Sequence, residues 1–147
     1  MQIGVETSKA VDQRRVFVID EDDITRTVLQ FMLQDEIETH EMATVEEAFE
    51  KGVGWLKPDL VLIGVSFVKQ VTDEGGDLVA HIKMRFDGAR ILIVCDKADE
   101  PVAVAAIRAG ANGALLKPLT LENVRSKVDT VLGRGGAKPI VKLGMLG

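Results

Sequence analysis

The chain has a single cysteine among its 147 residues, so no disulfide can form within it. That count fits a reducing cytosol. There are only two histidines, and no spacing of histidine and cysteine indicates a zinc site. No apolar run approaches the roughly 18 residues of a membrane span. The first residues also lack a basic stretch followed by an apolar core, so no secretory signal is predicted and we expect a cytoplasmic protein.

The bulk composition suits one soluble globular domain. Hydrophobic residues make up 46% of the chain and charged residues 28%, and the length suffices for a sizeable core. The net charge of −5 argues against nonspecific binding to nucleic acid. We therefore expect neither nucleic acid nor a membrane among the partners.

Short apolar runs alternate with helical patterns along most of the chain. The runs, which predict buried strands, are residues 16–19, 60–63, 91–94 and 114–116, and residues 37–42 are a weaker strand candidate. Between them apolar residues recur at helical spacing, as Leu29 and Leu33 do, and Thr44 and Glu47 have the spacing of a helix capping box. This alternation predicts an α/β fold with a parallel sheet covered by helices on both faces.

In such a sheet a functional site lies beyond the carboxyl ends of the strands. The residues directly after the predicted strands are Asp20, Glu21, Gly64, Val65, Cys95, Asp96 and Lys117. These positions are the candidates for a functional site.

Four motifs, taken in order and spacing, resemble the response-regulator receiver domain, the CheY-like module of two-component signalling. They are residues 16–22 with Arg26 downstream, 57–63, 109–113 and 116–118. The resemblance covers roughly residues 15–132. It implies a flavodoxin-like, CheY-like (βα)5 three-layer sandwich with strand order 2-1-3-4-5. On this basis we expect a flexible N-terminus over 1–14, a receiver-like domain over 15–132 and a flexible basic and apolar tail over 133–147.

The resemblance implies roles for several residues at the carboxyl ends of the strands. Asp20 and Glu21 match two acids that help to hold Mg²⁺ in receivers, and this hard ion prefers oxygen ligands. Lys117, followed by Pro118, matches the lysine that pairs with the phosphoryl group. Gly64 stands where receivers carry the phosphoacceptor aspartate, and glycine has no side chain to accept a phosphoryl group.

Three further positions depart from the receiver pattern. Cys95 replaces a threonine or serine that hydrogen-bonds the phosphoryl group, and a thiol is a weaker donor. Ala114 replaces an aromatic residue that swings inward on activation. The loop after Gly64 is predicted to run over residues 65–74, which is longer than usual in the family. We interpret the chain as an atypical pseudo-receiver that has lost the phosphorylation chemistry.

Two roles stay open for the remaining charged residues. Asp20 and Glu21 bind Mg²⁺ weakly, or they form an ion-pair network with Lys117 and the protein has no cofactor. We favour the network, because two carboxylates without a third hold the ion poorly and a lysine relieves their repulsion. Cys95 is interpreted as a small buried residue rather than a redox sensor.

These observations predict a non-enzymatic, single-domain signalling protein of a two-component phosphorelay system, which acts through phosphorylation-independent protein–protein interaction. The expected partner is a histidine kinase, a phosphotransfer protein or a downstream effector. A homodimer also stays open, through a face that would include Val102, Ala106 and Ala109.

Two alternatives remain. One is a ligand-responsive adaptor that binds cyclic dinucleotides through Arg85, Arg90 and Arg108, which are scattered in the sequence. The other is a conventional Mg²⁺-dependent phosphoacceptor that uses another acidic residue. For the basic and apolar residues 138–147 we expect one of four roles: binding to a partner's groove, addition to a sheet edge, packing back on the domain, or none.

Overall fold

The computed structural model describes residues 12–70 and 75–134. In this part of the chain five strands form one sheet: β1 (Asp12–Ile19), β2 (Ile37–Met42), β3 (Leu60–Gly64), β4 (Arg90–Cys95) and β5 (Gly113–Leu116). All neighbouring strands are parallel, in the order β2-β1-β3-β4-β5. The predicted fold class and strand order are confirmed.

Six helices connect or follow the strands: α1 (Asp23–Leu33), α2 (Val45–Lys51), α3 (Val65–Lys69), α4 (Gly75–Arg85), α5 (Glu100–Arg108) and α6 (Leu121–Leu132). Two short 3-10 turns cover Gly54–Leu56 and Lys97–Asp99. Among the described helices, none combines the length and the hydropathy that crossing a membrane requires.

The core has two layers because successive residues of each strand point to opposite faces of the sheet. Phe17 and Ile19 of β1 pack in the layer covered by α2 to α5. Val16 and Val18 pack in the other layer, which is covered by α1 and α6. The central strands β1, β3 and β4 are buried on both faces over residues 16–19, 60–64 and 91–95, which explains their continuous apolar runs in the sequence.

The prediction of a loop over residues 65–74 is wrong for the first half of that range, which forms a helix. Helix α3 begins directly after Gly64, and residues 71–74 lie outside the described part of the chain. Val65 and Val68 are three residues apart and both are buried. Burial of this apolar pair against the sheet accounts for a helical turn where a loop was predicted.

The prediction of a dimer face on α5 is wrong for one of its three residues, Ala106. Ala106 is 2% exposed and packs into the core together with Ala103, so it is not available to a partner. Val102 is half-buried and Ala109 is exposed.

The predicted flexible ends fall largely outside the described residues. Strand β1 begins at Asp12, three residues before the predicted domain boundary. At the other boundary Gly133 ends α6 with φ of 75°, a left-handed conformation that glycine adopts readily. Residues 1–11 and 135–147 are not described.

Candidate functional site

The carboxyl ends of the central strands open into a cavity of about 180 Å³. Its lining includes every residue that the sequence singled out after a strand: Asp20, Glu21, Gly64, Val65, Cys95, Asp96 and Lys117. The parallel topology brings these residues together, since it places the carboxyl ends of neighbouring strands at one edge of the sheet.

Asp20 lies in the floor of this site, directly after β1, and is 6% exposed. Its Oδ1 accepts a hydrogen bond of 2.9 Å from the backbone N–H of Asp22. Burial raises the pKa of the Asp20 carboxyl, while that hydrogen bond and the charge of Lys117 oppose the rise. Asp20 is therefore held in place by the backbone and not by an opposite charge in contact.

Gly64 ends β3 and precedes the first turn of α3. Its φ and ψ are −65° and 140°, an extended conformation that any residue adopts. A Cβ atom built on Gly64 would lie 2.6 Å from Oδ2 of Asp20. The Asp20 carboxylate thus occupies the space that the first atom of a side chain at position 64 would need.

Lys117 follows β5 at the opposite side of the cavity. Its backbone N–H donates a 2.9 Å hydrogen bond to the carbonyl oxygen of Cys95, and the peptide bond to Pro118 is cis. Among the ion pairs within 4.0 Å in the described part of the chain, none joins Lys117 to Asp20 or Glu21. The predicted network of direct ion pairs is not formed, and the charge of Lys117 only opposes the rise that burial causes in the pKa of Asp20.

The donor set does not fit a resident Mg²⁺. In residues 12–70 and 75–134 no three Asp, Glu, His or Cys side chains are placed to hold a metal ion. Asp20 is buried with one oxygen engaged by a backbone N–H, Glu21 is exposed, and Gly64 offers no ligand. Mg²⁺ demands oxygen ligands in near-octahedral geometry, and these three positions do not supply such a set.

Cys95 and Ala114 complete the departures from the receiver pattern. Cys95 is 1% exposed, and burial raises the pKa of its thiol, which disfavours the reactive thiolate. Ala114 is partly buried and packs against the core layer beneath α5. Neither side chain supplies a hydroxyl donor or a movable ring to the cavity.

Asp59 and the three arginines of the ligand-binding alternative lie away from this cavity. Asp59 precedes β3 at the opposite edge of the sheet, where its Oδ2 accepts a 2.8 Å hydrogen bond from the backbone N–H of Arg15. Arg85 ends α4, Arg90 begins β4 and Arg108 ends α5, so the topology places all three toward that same edge. The guanidinium of Arg85 stacks on the ring of Phe49 at 4.6 Å.

The sequence interpretation missed an ion pair that borders the cavity. Lys69 of α3 forms an ion pair of 3.2 Å with Asp99, and both side chains border the cavity. The spacing of Val65 and Val68 could have predicted the position of Lys69, because this spacing indicates a helical turn that brings Lys69 back toward the sheet.

Comparisons with known proteins agree with this architecture. The profile of the response regulator receiver domain matches residues 16–129. The transcriptional regulatory protein LnrK of Bacillus subtilis is 29% identical over 128 residues, which cover 85% of this chain and 56% of LnrK. The chemotaxis protein CheY of Halobacterium salinarum is 27% identical over 125 residues, which cover 81% of this chain and 97% of that protein.

A solved structure shows the same fold. The crystal structure of a response regulator from Thermotoga maritima superposes with a TM-score of 0.71 at 24% identity, covering 83% of this chain and 99% of that one. The chain thus spans just over half the length of LnrK and nearly all of the other two.

Proposed function

Since the chain belongs to the response regulator receiver domain family, we propose that it is a pseudo-receiver, a two-component signalling protein that binds its partner without aspartyl phosphorylation. In this proposal the protein is non-enzymatic and acts in the cytoplasm. Its partner is a histidine kinase, a phosphotransfer protein or a downstream effector.

The contact between Gly64 and Asp20 is the observation that supports this proposal. The acceptor position has no side chain, and the carboxylate of Asp20 stands 2.6 Å from where a Cβ would begin. Asp20 is itself a poor substitute acceptor, because it is buried and its Oδ1 is already engaged by the backbone N–H of Asp22. Position 64 therefore offers no side chain as an acceptor, and any side chain there would have to displace the Asp20 carboxylate.

Helix α1 exposes two large apolar side chains to solvent. Ile24 is 73% exposed and Phe31 is 75% exposed, and their spacing of seven residues places them on one face of the helix. Large apolar side chains exposed together on a regular helix are typical of interaction surfaces. We assign partner binding to this face, next to the cavity at whose edge α1 begins.

The first test is incubation with acetyl phosphate and Mg²⁺, followed by an acid quench and intact-mass measurement. We expect no gain of a phosphoryl group, while a receiver with an aspartate at the position of Gly64, treated in parallel, gains one. A phosphorylated product would disprove the proposal. Peptide mapping of that product would then identify the modified acidic residue.

The second test is capture of two-component proteins of the source cell by the immobilised chain. We expect the same amount of captured partner with and without acetyl phosphate. Phe31→Ser should lower the amount of captured partner by about tenfold, because Phe31 is a central contact in this proposal. Met84→Ser, at a 73% exposed apolar residue on α4, is the matched control and should bind as the wild type does. Capture that requires acetyl phosphate would contradict the proposal.

A further inference from the structure

A second cavity lies at the opposite edge of the sheet from the candidate site. Its volume is about 380 Å³, and its lining is mostly apolar. Phe17, Val53 and Leu56 contribute apolar surface, and Arg15, Glu50 and Lys51 contribute charged side chains. We call this cavity the Val53 groove. It is larger than the cavity at the strand ends, and the proposed function makes no use of it.

The surroundings of the Val53 groove are ordered and apolar. Val53 is 55% exposed and Trp55 is 82% exposed, on the segment between α2 and β3. The guanidinium of Arg15 donates to the carbonyl oxygen of Trp55 at 2.8 Å, lies 5.8 Å from the centre of the Trp55 ring, and binds Glu38. An apolar surface that is fixed in this way and left exposed favours an interaction site.

The chain leaves the described domain close to this groove. Arg134, the last described residue, hydrogen-bonds Glu36 at 3.3 Å, and Arg14 donates to the carbonyl oxygen of Leu132 at 2.8 Å. Glu36 directly precedes β2 and Arg14 directly precedes Arg15, which lines the groove, so the chain leaves the domain at the same edge of the sheet as the groove. The intervening strand β2 is at the edge of the sheet and therefore blocks no path around it.

The segment that follows Arg134 has the length and the chemistry to fill the groove. Residues 135–139 span up to about 17 Å when extended, more than three times the spacing of about 4.8 Å between neighbouring strands. Residues 140–146 then supply apolar side chains at Ile140, Val141 and Leu143, with Lys142 among them. Glu50 lines the groove and has no ion pair in the described part of the chain, so it is available to a lysine.

We propose that residues 140–146 dock in the Val53 groove of the same chain and cover Trp55. This inference does not depend on the proposed function, because it concerns the opposite edge of the sheet. Of the four roles that the sequence left open for this segment, the proposal corresponds to packing back on the domain.

Trp55 makes the proposal directly measurable, because it is the only tryptophan and the chain has no tyrosine. The experiment measures the emission maximum of Trp55 and its quenching by acrylamide in the full chain. The tail variant carries Ile140→Asp and Leu143→Asp, and the groove variant carries Val53→Asp. The matched controls are Gly135→Asp with Gly136→Asp, which adds the same two charges, and Met84→Asp on α4.

A tethered segment acts at an effective concentration of the order of millimolar, so even weak docking covers Trp55 most of the time. When docking is lost, we expect acrylamide quenching of Trp55 to rise by about twofold. The tail variant should show this rise with a red-shifted emission, and both controls should match the wild type. In the Val53→Asp background the tail substitutions should have no further effect. Circular dichroism of each variant establishes that it is folded.

Three results would overturn the proposal. The first is equal quenching in the wild type and the folded tail variant. The second is an additional effect of the tail substitutions in the Val53→Asp background, because the tail would then act elsewhere. The third is a dependence of the wild-type signal on protein concentration, because the occupant would then be a second copy of the chain.

Discussion

At the scale of single residues, Gly64 is kept small by its neighbour and not by its backbone. Its extended φ and ψ suit any residue, whereas a Cβ would meet Oδ2 of Asp20 at 2.6 Å. The absence of an acceptor and the position of Asp20 are therefore one coupled feature. A substitution at either residue should be felt through the other.

We expect Gly64→Ala to lower the free energy of unfolding by about 1–2 kcal/mol, because it forces the buried Asp20 carboxylate to move. In an Asp20→Ala background the same substitution should be neutral or stabilising by up to about 1 kcal/mol, since alanine restricts the unfolded chain. A double-mutant cycle in urea measures the coupling. An equal cost in both backgrounds would show that Asp20 is not the cause.

Glu38 gives a prediction about pH. Its pKa is lowered to about 2, first by the hydrogen bond from Arg15 and then by that from His40. Because the folded-state pKa lies below the ordinary value of 4.5, this stabilisation is present above pH 4.5 and is lost as the pH falls toward 2.

We expect Glu38→Gln to cost about 0.5–1 kcal/mol of stability at pH 7, a modest amount because the side chain is 43% exposed and solvent screens the pair. The cost should vanish near pH 2. Asp87→Asn, at an exposed residue in the turn after α4 without an ion pair in the described part of the chain, is the control and should show no loss at either pH value. Urea denaturation at several pH values distinguishes the two variants. A cost for Glu38→Gln that does not fall with pH would contradict the assignment.

At the scale of elements, α2 is fixed at its start by side-chain hydrogen bonds. Oγ1 of Thr44 accepts a 3.1 Å bond from the N–H of Glu47, and Oε1 of Glu47 accepts a 3.2 Å bond from the N–H of Ala43. The capping spacing predicted from the sequence is therefore confirmed for Thr44, while the Glu47 side chain reaches one residue further than in a standard capping box.

Thr44→Ala should lower the free energy of unfolding by about 1 kcal/mol, because an N–H in the first turn of α2 loses its acceptor. Thr27→Ala is the matched control, since Thr27 is exposed in the interior of α1 and alanine favours a helix. We expect this control to be neutral or slightly stabilising in thermal denaturation. A similar loss for both variants would mean that the cap contributes nothing specific.

The elements were predictable to the extent that they are buried or capped locally. The strands β1, β3 and β4 are buried on both faces, so their runs of β-branched residues were sufficient to predict them. Helix α3 was missed because five residues are too short for helix propensity to signal, and its stability comes from burying Val65 and Val68. The inner face of α5 was missed because it consists of alanines, which hydrophobic periodicity marks poorly.

At the scale of the whole molecule, the topology alone determines which residues meet. The rule that sites lie beyond the carboxyl ends of parallel strands was sufficient to gather Asp20, Gly64, Cys95 and Lys117 around one cavity. The rule could not predict that the carboxylate of Asp20 lies beside Gly64 or that Lys117 forms no close ion pair. Those positions depend on side-chain packing between several elements, which the sequence pattern does not encode locally.

Restoring an aspartate at position 64 tests whether one residue separates this chain from a phosphoaccepting receiver. We expect Gly64→Asp to gain no phosphoryl group from acetyl phosphate and Mg²⁺, as measured by intact mass. The new side chain would start 2.6 Å from Oδ2 of Asp20, Cys95 offers no hydroxyl donor, and α3 begins at the next residue. Two carboxylates in contact also repel each other, which raises the pKa of one of them.

Gly64→Asn separates the steric part of this effect from the charge, because it adds a side chain of nearly the same size without a carboxylate. We expect both variants to be less stable than the wild type in urea. At pH 7 the aspartate variant should be the less stable of the two. This difference in stability should shrink as the pH falls toward 4. This follows because like charges in contact are relieved when one carboxyl binds a proton. Phosphorylation of the aspartate variant would instead show that the rest of the site still functions, and that Gly64 alone makes the chain independent of phosphate.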